Sequence, residues 1–188
     1  MRTSSNLLLT LALVMSTAVA IAAEIGAVKL DDKVSVGGQE LVLNGAGIRT
    51  KAIFKVYVAS LYLPQKATDL QAVLAKGPRR IQLNLLRTLS ADQLAEALND
   101  GLAEANGPTE VAAVKPQVDQ LLAIMKSFKE VKEKDVITLD FVDGATKIGW
   151  NGEAKGNVAG EPMNRALTRI WVGEKAVQSD LKKAMLGS

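Results

Sequence analysis

The sequence predicts an α+β fold: a two-layer, open-faced sandwich with a mostly antiparallel β-sheet and helices packed on one face. Three observations predict it. Alternating apolar side chains dominate the first half of the chain, the pattern of strands with one buried face. A helical block follows, with apolar residues three and four apart. Hairpin signals at Asp143-Gly144 and Asn151-Gly152 then return the chain to strands before a second helical stretch. Blocks of strands and helices, as opposed to strict alternation, favour antiparallel pairing. The gap between the two layers is the natural place for an apolar ligand.

The elements follow in order. Val28 to Val36 and Gln39 to Leu43 read as two strands joined at Gly37-Gly38, and Asn44-Gly45-Ala46-Gly47 reads as a loop. Ile53 to Leu63 is dense in β-branched and aromatic residues, and Pro64 ends it. Asp69 to Ala75 is a short helix, Gly77-Pro78 breaks it, and Arg80 to Arg87 is a strand with Ile81, Leu83 and Leu85 on one face. Ser90 and Gln93 form a capping box for a helix whose stripe is Leu94, Leu98 and Leu102. Asn106-Gly107-Pro108 ends it, and Thr109 is the expected cap of a helix buried through Val111, Val114, Val118, Leu121, Leu122, Met125 and Phe128. Lys126 to Asp135 mixes both charge signs and reads as a solvated helix end, and Arg79-Arg80 as a solvated start of a strand. Val136 to Val142, Thr146 to Trp150 and a further strand ending near Val158 precede a helix opened by Glu161-Pro162 and a last one from about Ala176 to Met185.

Composition excludes much chemistry. Across 188 residues there is no His and no Cys, which removes disulfides, thiol nucleophiles, Ser-His-Asp triads and Cys/His zinc sites. No metal and no cofactor are expected. A net charge of +3, with no stacking surface of aromatic and basic residues, does not point to nucleic acid. Residues 1–22 read as a cleavable signal peptide: Arg2, a leucine-rich run from Leu7, then Ala18-Val19-Ala20 and Ala20-Ile21-Ala22 as small-x-small sites. The remainder, 24–188, shows no linker or repeat and reads as one domain. The expectation is a periplasmic or secreted monomer that touches the membrane only through its leader.

Leu43-Asn44-Gly45-Ala46-Gly47-Ile48-Arg49, followed by Lys55 through Tyr57 to Ser60-Leu61-Tyr62-Leu63, resembles the N-terminal signature of the chalcone isomerase superfamily. Leu89-Ser90-Ala91-Asp92-Gln93 and Ile170-Trp171-Val172-Gly173 fall in matching order. The resemblance implies the family's open-faced sandwich. It also implies either flavanone ring closure, as in plant members, or fatty-acid binding without catalysis, as in another branch. The family's catalytic Arg matches Arg49, whereas its water-holding Thr falls on Tyr57, a residue like that of the fatty-acid-binding branch. Its catalytic Tyr falls on Leu94, its Asn on Gly101, and its Thr-Met pair on Ile170-Trp171. Losing a single donor to a developing oxyanion typically lowers the rate by about 10²–10³. The resemblance therefore implies a non-catalytic binder, with Arg49, Tyr57, Leu94, Ile170 and Trp171 at the ligand.

Arg49 and Tyr57 are suited to an apolar carboxylate such as a fatty acid. A guanidinium can hold a carboxylate by two parallel hydrogen bonds and a phenol can add a third. Continuous strand would part the two side chains by about 26 Å, so the chain must turn back between them. The bland alternative pairs Arg49 with an acid at a sheet edge and leaves Tyr57 in the core. Two other functions stay open: an intramolecular lyase or isomerase acting on a non-flavonoid enone through Arg49, and an envelope interaction module with a vestigial pocket.

Overall fold

The computed structural model describes residues 23–75 and 77–187, so the expected leader lies outside the described residues. The chain starts with a small hairpin, β1 (Ala23–Ile25) and β2 (Val28–Leu30). Then come β3 (Lys33–Val36), β4 (Gln39–Lys51), β5 (Phe54–Leu63), α1 (Leu70–Val73) and β6 (Arg79–Leu85). A helical block follows, from β7 (Leu89–Ser90) into α2 (Ala91–Ala105), α3 (Pro108–Ala113) and α4 (Lys115–Lys126). The last part comprises β8 (Glu130–Val131), β9 (Val136–Val142), β10 (Ala145–Trp150), β11 (Glu153–Ala159), α5 (Glu161–Val172) and α6 (Ser179–Met185).

Seven strands form one sheet in the order β11-β10-β9-β6-β5-β4-β3, and every neighbouring pair is antiparallel. Successive strand side chains point to opposite faces, so Leu61, Ile81, Leu83, Ile137 and Leu139 share the face that meets the helices. They join one buried cluster with Leu98 and Leu102 of α2, Leu121 of α4 and Leu167 of α5. The fold is the α+β open-faced sandwich expected from the sequence. The other sheet face carries a smaller buried cluster of Val36, Leu41 and Tyr62. Beside it Arg80 grips both carboxylate oxygens of Asp140, one at 2.7 Å.

Several local expectations change. Asn44 to Gly47 is no loop but the middle of β4, whose register slips between Leu43 and Gly45. The buried Asn44 amide donates to the carbonyls of Ala67 (2.9 Å) and Met185 (2.8 Å) and accepts from the Ala67 N–H (2.7 Å). Gly45 and Gly47 are small because α6 lies on them: a Cβ at Gly45 would overlap the Ala184 carbonyl oxygen, and one at Gly47 would sit 2.9 Å from Ala184 Cβ. The expected strand 28–36 is interrupted, since β2 pairs with β1 whereas β3 pairs with β4. The helix expected from Thr109 starts at Pro108, where Glu110 accepts the Gly107 N–H at 3.2 Å, and it breaks at Val114. Pro116 explains the break, having no N–H for the ladder and a ring that crowds the carbonyl four residues back. After Lys126 the chain turns through Lys129 (φ +62°) into β8, which pairs with β7.

Arg79 is the largest departure. Arg79-Arg80 was expected in solvent, yet Arg79 is 2% exposed, because its position on β6 places it on the helix-facing side with Ile81 and Leu83. Its Nε donates to Thr168 Oγ1 at 3.0 Å and its guanidinium lies 4.9 Å from the Phe141 ring centre, while Nη2 has no hydrogen-bond partner among the described residues.

Candidate functional site

The site is built on the β4–β5 hairpin. The two strands are joined by Ala52-Ile53, and Ala52 takes φ +54°. The chain thus reverses without Gly, Pro or Asn, accepting about 1–2 kcal/mol of left-handed backbone strain. Arg49 consequently pairs directly opposite Tyr57, and the strands there lie only about 4.8 Å apart. The register passes from Arg49–Tyr57 to Thr50–Lys55, which leaves Val56 as a bulge beside the pair.

Trp171, near the end of α5 and 3% exposed, donates its indole N–H to Tyr57 Oη at 3.1 Å. Burial pushes the Tyr57 phenol pKa up, and the Trp171 N–H and the Arg49 charge offset part of that push. The phenol stays protonated at neutral pH, and its O–H donates to none of the described residues. Arg49 is half-buried; its Nη1 donates to the Thr50 carbonyl (3.0 Å) and Gln178 Oε1 (3.3 Å), and it forms no salt bridge among the described residues. The alternative of an edge-strand pairing between Arg49 and an acid is thus not found among the described residues. Gln178, which the sequence reading passed over, caps the start of α6 and clips it to β4: it accepts the Thr50 N–H (2.8 Å) and donates to the Ile48 carbonyl (3.1 Å). Its neighbours in sequence carry no signal of this, because its partners lie more than a hundred residues away.

Behind the pair lies a cavity of about 210 Å³ between sheet and helices. Leu83 and Leu139 form its floor, Leu94 and Leu98 of α2 and Met125 of α4 its roof, and Ile170 and Trp171 one wall. All five expected site residues, Arg49, Tyr57, Leu94, Ile170 and Trp171, line this one space. Gly101 lines it too, and explains how α2 approaches α5: a Cβ there would meet Ile170 Cγ2 at 3.0 Å. Lys51, Asp100 and Glu104 also line the space, and the sequence reading named none of them. The chemistry on offer is a guanidinium and a phenol as proton donors beside apolar walls, with the Lys51 ammonium and the Asp100 and Glu104 carboxylates also on the lining. Among the described residues no group of three or more His, Cys, Asp or Glu is placed to hold a metal ion.

An open-faced α+β sandwich with an arginine–tyrosine pair at an interlayer cavity defines a structural class that the sequence resemblance already indicated. The chain belongs to the chalcone isomerase-like family, whose sequence model matches residues 22–187. Among solved structures it is similar to a fatty-acid binding protein of Arabidopsis thaliana, at 13% identity and a TM-score of 0.65, over 85% of this chain and 92% of that one. That likeness is one of fold. Comparison with curated proteins gives no match.

Proposed function

We propose that the protein is an exported, non-catalytic binder of a fatty acid or similar apolar carboxylate, with the head group held by Arg49 and Tyr57 and the tail in the interlayer cavity. The observation that carries this reading is the direct pairing of Arg49 with Tyr57 at a largely apolar chamber, Arg49 forming no salt bridge among the described residues. A guanidinium without an acid partner among the described residues, beside a phenol O–H that donates to none of them, is a three-donor cradle for a carboxylate once Arg49 turns from Thr50 and Gln178. Leu94, Leu98 and Ile170 offer the chain a dry wall and give a polyphenol nothing to orient it. The fold shared with a fatty-acid binding protein is in keeping with this. Export rests on the leader-like residues 1–22 and is checked by fractionation and N-terminal sequencing of the mature chain.

The binding test compares octanoate with octanol by calorimetry, on wild type and Arg49→Met. Hydrogen bonds to a charged group contribute about 1.5–3 kcal/mol, so the substitution should weaken octanoate about 10- to 100-fold and leave octanol unchanged. Equal affinity of wild type for acid and alcohol, or an Arg49→Met variant that binds octanoate normally, overturns the assignment.

A further inference from the structure

Among the described residues, two large hydrophobic side chains stand exposed, Ile53 at 86% and Phe54 at 53%, and they are adjacent. Both sit at the tip of the β4–β5 hairpin, within the exposed run Lys51-Ala52-Ile53-Phe54-Lys55. Neither Lys51 nor Lys55 is paired with an acid among the described residues, and Arg87 stacks its guanidinium 4.7 Å from the Phe54 ring centre. An apolar point ringed by three cations, with no acid among them, is complementary to a surface that is negative outside and greasy beneath. The same hairpin carries Arg49 and Tyr57 a few residues inward, so the tip projects beside the opening of the cavity.

We propose that the hairpin tip docks the protein on an anionic phospholipid bilayer, with Ile53 and Phe54 inserted at head-group depth and Lys51, Lys55 and Arg87 among the lipid phosphates. Docking places the cavity opening at the membrane, where an acyl guest is exchanged; this second step rests on the ligand reading above, whereas docking itself does not. No helix among the described residues is long and apolar enough to cross a membrane. A protein partner fits less well, since an acidic apolar groove would be needed to match both the ring of cations and the tip. A second copy of the chain would bring cation against cation.

The test is flotation of the purified mature chain with phosphatidylglycerol/phosphatidylethanolamine vesicles and with neutral phosphatidylcholine vesicles at low salt. Wild type is expected to float with the anionic vesicles only, and to be released as salt rises. Ile53→Ser/Phe54→Ser should lower partitioning about a hundredfold. Lys55→Gln/Arg87→Gln should lower it about thirtyfold, roughly a factor of five for each cation removed from an anionic surface. Both variants change only exposed side chains and should keep the wild-type melting temperature and octanoate affinity. A Phe54→Trp variant should blue-shift its emission on adding anionic vesicles. The proposal is overturned if wild type stays in solution with the anionic vesicles, if the tip variants float as well as wild type, or if sedimentation shows a dimer that the tip variants dissolve. Tip-dependent flotation by a protein that binds no octanoate leaves docking in place and removes the ligand reading alone.

Discussion

The volume of the interlayer cavity sets a chain-length limit that can be worked out and measured. An apolar cavity of about 150 Å³ holds benzene, or about 25 Å³ per carbon, and at that ratio the 210 Å³ here holds about eight carbons. Each methylene that enters contributes about 0.8 kcal/mol, a factor of about four in affinity. Straight-chain acids titrated calorimetrically below their micelle concentrations should therefore gain about fourfold per methylene as far as octanoate, then level off. Leu94 lines the roof at 5% exposure. Leu94→Ala removes three carbons, adds about 75 Å³ on the same ratio, and should move the break by about three carbons. The variant should also lose about 2–5 kcal/mol of stability, part of which a longer acid restores by filling the space. An unbroken gain through hexadecanoate, or a series with no dependence on length, would refute the placement of the tail in this cavity.

Three further outcomes are expected. Gly45→Ala forces a methyl into the Ala184 carbonyl and should destabilise by about 1–3 kcal/mol or more in urea, with α6 loosened. Arg79, its pKa lowered to about 10 chiefly by burial, burdens the fold at every pH below that value, and the burden eases only as pH climbs from about 10 toward the ordinary arginine range. Arg79→Met should accordingly match or exceed the wild-type melting temperature, while Arg79→Ala, which leaves a cavity, should lower it. Tyr57 has its folded pKa raised above the ordinary 10.0 by burial, so its share of stability is intact below about pH 10 and is lost as pH rises through and above it. Urea midpoints should then fall more steeply with alkaline pH in wild type than in Tyr57→Phe; parallel profiles would sink that assignment.

What the sequence makes legible is whatever depends on near neighbours. The Ser90–Gln93 capping box forms as expected, with Gln93 N–H to Ser90 Oγ at 3.1 Å and Ser90 N–H to Gln93 Oε1 at 3.0 Å. Alternation along Arg79–Leu85 and Val136–Val142 gives the correct buried face and the antiparallel sheet. Asn44 to Gly47 misleads because Asn and Gly mark turns by local preference, while here an amide clip and a docked helix use them, contacts that form only in the finished fold. The turn at Ala52 is hidden for the opposite reason: strand pairing on both sides imposes a backbone that Ala does not favour alone. Gln178 and the buried Arg79 depend on partners more than 85 residues distant. Arg49, Tyr57, Leu94, Ile170 and Trp171 come forward together through the family resemblance, whereas Asp100, Glu104 and the Ile53-Phe54 tip have no local pattern to announce them.

The Gln178 clip couples the carboxyl-terminal helix to the cation above the chamber. One amide binds the Thr50 N–H, Arg49 Nη1 and the Ile48 carbonyl, so a guest that draws the guanidinium away must either surrender the Arg49–Gln178 contact or carry the helix start along. Occupancy and the anchoring of α6 are therefore two faces of one equilibrium, and amide hydrogen exchange in α6 should report whether the chamber is full.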